Sequence, residues 1–242
     1  MPSTSEVGHA KNVANFGDLI TYCTAYGTTY NPPRPPLTIL SLGTLLTSAR
    51  TELNNVITAK NSFDTVTGER QLLFENLKPL STKIVNFLSI TRVSEQIIDD
   101  AKTINNKIQG RRAGTVSHNP PTEGGTPQNT VSVSRQSYDM LTENFASLID
   151  FVTSIPIYTP NETELTIASL NDYLSQLQIA NTNVINAEVA YSNARISRDN
   201  VLYADGTGLV DTASDVKNYV KAIFGATASE YRQVSGIKFK KP

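Results

Sequence analysis

The chain of 242 residues has no tryptophan, one cysteine and two histidines. The lone thiol, Cys23, excludes an internal disulfide and any metal cage built from cysteine alone. His9 and His118 stand in no recognisable spacing with a second ligand or a nucleophile. That leaves a Ser-His-Asp or Cys-His arrangement with nothing to build on, and the Glu-x-x-His pairs of a di-iron bundle are missing. No enzymatic activity, metal or cofactor is expected, and both histidines read as surface residues. No apolar run reaches the about 18 residues that a membrane-spanning helix needs. The opening MPSTSEVGHAKN lacks the apolar stretch of a secretory signal, so a cytoplasmic location is the expectation. Charge of one sign is also missing: 21 basic against 22 acidic residues leave a net charge of −1, with no global field toward nucleic acid or an anionic membrane.

What is present is material for a core. Hydrophobic residues make up 39% and charged residues 18%, a balance suited to a packed domain. The apolar positions also repeat along the chain. NFGDLITYCT (15–24) lies over NFASLIDFVT (144–153) at an offset of 129. LTILSL (37–42) lies over LTIASL (165–170), NVITA (55–59) over NVINA (183–187) and Arg70 over Arg198, all at 128. IVNFL (84–88) lies over VKNYV (216–220) at 132. The register steps fall where loops belong, which points to gene duplication. Between the copies, residues 109–135 contain no Leu, Ile, Phe or Tyr and are rich in Gly, Pro, Ser and Thr, so they read as a flexible linker. The expected organisation is therefore a first helical repeat over 1–108, the linker over 109–135 and a second repeat over 136–242, with both repeats packed as one unit.

Each repeat opens with an amphipathic helix, on which Val13, Phe16, Leu19, Ile20 and Cys23 share one face, as do Leu141, Phe145, Leu148, Ile149 and Val152. A proline-containing loop ends it, because NPPRPP (31–36) cannot be helical: proline lacks the N–H and clashes with the preceding turn. In the second copy Asn161 and Glu164 have the spacing of a capping box that starts the next helix. That helix is long. Steps of four and three select Leu42, Leu46, Ala49, Leu53, Val56, Lys60, Phe63, Thr67, Arg70 and Phe74, and in the second copy Leu170, Leu174, Leu177, Asn181, Val184, Glu188, Tyr191, Arg195, Arg198 and Leu202. Each seam covers roughly 50 Å of helix. A return helix follows on Leu80, Ile84, Phe87 and Leu88, or on Val216, Tyr219, Val220 and Ile223. The first copy adds a helix through Ile97, Ala101, Ile104 and Ile108. The second ends in SEYRQVSGIKFKKP, read as a turn and an extended tail. No segment alternates convincingly as a strand. The fold class is all-α, an elongated antiparallel helical bundle of two tandem three-helix pseudo-repeats.

Few residues stand out from this frame. Lys60 and Glu188 occupy equivalent seam positions with opposite charge, and Arg70 and Arg198 are identical between copies. The favoured reading is that the long helix turns a polar edge outward there; the alternative is that the two arginines anchor the far end of each bundle through carboxylate or carbonyl bonds. Pro32, Pro33, Arg34, Pro35 and Pro36 match the PxxP pattern of polyproline ligands, although a stiff connector is the favoured reading. Arg111 and Arg112 sit where the helix ends. They suit its dipole and are weak candidates for phosphate contact. Cys23 lies where the second copy has Val152, which points to packing, and ADGTGL (204–209) lacks the Lys-Ser/Thr of a phosphate loop.

The segments GHAKNVANF (8–16), KIQGRR (107–112), SYDMLTENF (137–145), NARISRDNVLY (193–203) and VKNYVKAIFGATASEYRQVSGIKF (216–239) resemble a family of hypothetical proteins common in Bacteroidota genomes. The likeness covers essentially the whole chain. It implies a bacterial protein folding as one unit, and it brings no activity, ligand or catalytic residue. The functional expectation is a non-enzymatic helical scaffold that binds a protein partner or itself. A membrane-active helical protein and a ligand-binding bundle with a pocket between the repeats are the alternatives.

Overall fold

A computed structural model describes residues 6–111 and 136–241. Most of the linker expected at 109–135 lies outside them, as do Arg112 and His118. Among the described residues the chain is helical and has no strand. Its helices are α1 (Glu6–Ala25), α2 (Ile39–Glu75), α3 (Leu77–Ile90), α4 (Glu95–Gln109), α5 (Tyr138–Thr153), α6 (Ile167–Tyr203), α7 (Leu209–Phe224) and α8 (Ser229–Ser235). The two long helices have the same length, 37 residues each.

Both long helices start in the same way. Tyr30 Oη donates to the carbonyl of Leu37 (2.8 Å), and Tyr158 Oη donates to that of Leu165 (3.0 Å). A 3-10 turn follows, at Pro35–Leu37 or Thr163–Leu165. Thr38 Oγ1 then accepts from the Ser41 amide, and Thr166 Oγ1 accepts from that of Ser169, each at 3.3 Å. These threonines are the caps of α2 and α6, and such a cap contributes about 1 kcal/mol. The cap expected at Asn161 is therefore misplaced. The intervening 3-10 turn moves the start of α6 to Ile167, beyond the reach of that side chain.

The chain packs as two compact units, residues 1–63 with 187–242 and residues 64–186. The sequence halves are defined by the repeat and the units by packing, and the two divisions differ. Each unit combines the early part of one half with the late part of the other, so α2 and α6 each contribute to both.

In the first unit α1 packs against α7 and α8. Phe16, Leu19, Cys23, Leu42, Ala49, Leu202, Leu209, Val216, Val220 and Val234 are buried there. In the second unit α5 packs against α3 and α4, over Leu77, Ile84, Leu88, Ala101, Ile108, Phe145, Leu148, Leu170 and Leu177. By sequence offset α1 corresponds to α5 and α7 to α3. The elements that follow differ. Helix α4 runs for 15 residues, capped by the Ser94 side chain and ended by Gly110 at φ 74. Helix α8 runs for only 7, anchored by the buried Val234. After it, residues 237–241 have no regular structure. The expected turn and tail thus include one short helix.

The turn between α6 and α7 shows why glycine sits at position 208. A Cβ there would lie 2.6 Å from the backbone nitrogen of Ala204, closer than any side chain tolerates.

Candidate functional site

The seam residues divide by position. On α2 and α6 the seam is buried or half-buried except at Lys60 and Glu188, which are both exposed. One helical turn further on, Phe63 and Tyr191 stack with centroids 6.4 Å apart. Arg198 is buried and directs Nε and Nη2 to Asp199 Oδ1, at 3.0 and 2.8 Å. Arg70 departs from the alternative of a carboxylate or carbonyl anchor. Its guanidinium lies over the Tyr138 ring, 4.0 Å from the centroid, and its Nε has no partner among the described residues. A flat aromatic face supplies the attraction that a carboxylate would otherwise provide.

The proline segment is a connector of the first unit. Pro32 is buried, and Pro33, Arg34, Pro35 and Pro36 are exposed. The turn at Pro35–Leu37 departs from the extended left-handed helix that polyproline readers grip. Arg34 pairs with Asp215 of α7 at 2.6 Å. In the second unit the same role falls to Glu164 and Lys83, at 2.8 Å and with the charges exchanged. All four side chains are well exposed, so each pair is worth little, about 0–1 kcal/mol. Arg111 is exposed and lines a groove of about 320 Å³ between α3 and α4, with Val85, Asn86, Lys102, Asn105 and Gln109.

Cys23 is buried against Tyr30, and burial pushes its thiol up to about 12. A thiol held in that form is a poor nucleophile at neutral pH. The surface reading of His9 does not hold. His9 is buried, with Nδ1 2.6 Å from the Tyr203 hydroxyl at the end of α6.

His9 opens a polar strip on α1 that sequence reasoning missed. His9, Asn12 and Asn15 recur every three residues, which keeps them along one side of the helix. Asn12 Nδ2 donates to Tyr203 Oη (3.2 Å) and to the carbonyl of Lys240 (2.7 Å), and its Oδ1 accepts from the amide of Lys240 (3.1 Å). Asn15 Nδ2 donates to the carbonyl of Lys238 (2.7 Å). From α7, Lys217 Nζ donates to the carbonyl of Ile237 and lies over the ring of Phe239. Burial holds the Lys217 ammonium below its ordinary range. Lys241 lies 3.0 Å from Asp211, whose carboxyl is held below its ordinary range by the Gly206 amide and then by Lys241 itself.

The segment 237–241 therefore lies extended on the first unit. Ile237 and Phe239 are half-buried while Lys238 and Lys240 are exposed. The signal was available in IKFKK, where apolar residues alternate with lysine. Beside the segment a cleft of about 760 Å³ opens, lined by Lys11, Asn15, Asp18, Tyr22, Gln233 and Lys238.

Several large apolar side chains remain exposed on the long helices. Ile57 on α2 is 54% exposed and Ile185 on α6 is 56% exposed, within the similar segments NVITA and NVINA. Among the described residues no group of three or more His, Cys, Asp and Glu is placed to hold a metal ion, and no helix is long and apolar enough to cross a membrane. In comparisons with protein-family models, curated proteins and solved structures, the chain matches none.

Proposed function

We propose that this protein is a non-enzymatic helical scaffold, built from a duplicated helical unit, that binds a protein partner through its two long helices. The observation that carries the reading is the matched exposure of Ile57 and Ile185. Water-exposed isoleucine has no role in holding its own helix, and here it recurs at a fixed offset on two helices of equal length. Exposed apolar side chains on a regular helix are the kind of anchor that helix-mediated recognition uses. The buried state of Cys23 and the engagement of His9 with Tyr203 agree with a chain whose reactive groups serve packing.

The duplication itself is supported by the paired geometry. Tyr30 with Leu37 and Tyr158 with Leu165 make the same bond, and the threonine caps and 3-10 turns recur at one offset. The ring contacts recur as well: Tyr30 meets Tyr219 edge-on at 5.4 Å, and Tyr158 meets Phe87 at 5.3 Å.

Crosslinking and affinity capture from the native host test the proposal, using the natural chain beside Ile57→Asp and Ile185→Asp. Each aspartate is expected to release the captured protein while leaving the circular dichroism unchanged. Capture that survives both substitutions would overturn the assignment of the long helices as the binding surface.

A further inference from the structure

The bonds between α1 and residues 237–241 run from side chains to main chain across more than 220 residues of sequence. Asn12 contacts both main-chain polar groups of one residue, the N–H and the C=O of Lys240. Asn15 takes the carbonyl two residues earlier, and Lys217 takes the carbonyl of Ile237. The two asparagines thus bind main chain two residues apart and Lys217 binds it from α7, while Ile237 and Phe239 turn inward. This is how an extended peptide is recognised by a receptor: main-chain bonds supply affinity and alternate side-chain contacts supply specificity.

The other unit shows that the polar strip is not needed to complete such a fold. At an offset of 129, His9 and Asn12 correspond to Tyr138 and Leu141, both on α5, which packs against α4. A helix satisfies its own backbone, so an apolar face suffices to receive it. An extended segment brings unsatisfied N–H and C=O groups, which need polar partners. The amides on α1 are the surface that an extended chain requires.

We propose that this strip, with Lys217 of α7, is a receptor groove for an extended segment with alternating apolar and lysine residues. Its own residues 237–241 fill it within one copy, and the same segment of a second copy fills it in exchange. Each of these contacts is available to an identical segment from another molecule. The difference between the two states is the connection to α8 and the effective concentration it provides. That helix is 7 residues long and has a single fully buried anchor, Val234, which favours release. The cleft beside Lys238 leaves part of the groove open to the incoming chain. Asp211 and Asp205 supply the charge that receives Lys241. The proposal uses a different surface from Ile57 and Ile185 and stands independently of the scaffold reading.

The test uses the full chain and a fluorescein-labelled peptide of the sequence VSGIKFKKP, followed by anisotropy. In the natural chain the resident segment competes and binding is weak. In the full chain carrying Ile237→Ser and Phe239→Ser the resident segment is weakened, and the peptide is expected to bind about tenfold tighter or more. Adding Asn12→Ala to that chain is expected to abolish the gain. If the double serine chain loses its helical circular dichroism, Lys240→Pro replaces it, because proline deletes the one N–H that Asn12 accepts. Equal binding by the natural and weakened chains, or binding indifferent to Asn12→Ala, would overturn the proposal.

Discussion

The two units receive related sequence and finish it differently, and Asn15 and Asn144 make the contrast concrete. They are the same residue at the same place, separated by the offset of 129 that relates α1 to α5. In the first unit Asn15 donates to the carbonyl of Lys238, because an extended segment passes over it. In the second, Asn144 is 8% exposed and its Nδ2 has no partner among the described residues. The same amide thus finds a main-chain partner in one unit and none among the described residues in the other. Elsewhere the units agree: the tyrosine bonds, the threonine caps and the edge-on ring pairs recur.

Three sets of substitutions sharpen or break that comparison. The largest effect belongs to the shared core. Phe16 and Phe145 are both fully buried, and replacing either with alanine is expected to cost about 3–5 kcal/mol by urea denaturation. Equal losses would support equivalence of the units, and a loss at one alone would break it. Next come Tyr30→Phe and Tyr158→Phe. Each leaves a buried carbonyl without its donor, with an expected cost of about 1–3 kcal/mol and matching values at the two sites. The smallest effect carries the sign that separates the units. Asn144→Leu removes a buried donor without a partner and is expected to raise the melting temperature. Asn15→Leu removes a bond that is made, and it is expected to lower stability by about 1 kcal/mol. A loss of stability at both positions would mean that Asn144 is satisfied after all.

Much of the fold was legible because long helices announce themselves by period. The seam from Leu42 to Phe74 and its counterpart from Leu170 to Leu202 lie inside two helices of 37 residues, and the least buried seam positions are the charged Lys60 and Glu188. The grouping of elements into units was not legible, for a physical reason. Two long helices with similar seams offer chemically equivalent partners, so periodicity cannot choose between a return helix from the same half of the sequence and one from the other. The cap at Thr166 was readable in hindsight, since LTILSL and LTIASL keep threonine at the same place while Asn161 has no counterpart in NPPRPP. The polar strip was harder. His9, Asn12 and Asn15 look like ordinary surface residues until the extended backbone of 238–240 is laid over them. Arg70 shows the reverse case, in which the residue was found and its partner, the ring of Tyr138, was not.

The central claim is that α1 and α5 are related surfaces, one covered by a segment that can leave and the other by a helix that cannot. Residue-resolved amide hydrogen exchange on the unmodified chain, as a function of low denaturant, tests it most directly. The Lys240 amide is bound to Asn12 Oδ1, while the amides of Ala101 and Ile104 lie inside α4. The account predicts that Lys240 exchanges through a local opening indifferent to denaturant, and that the α4 amides exchange only as their whole unit unfolds. Exchange of Lys240 at the rate and denaturant dependence of α1 and α7 would contradict it, because the segment would then leave only when the surrounding unit unfolds.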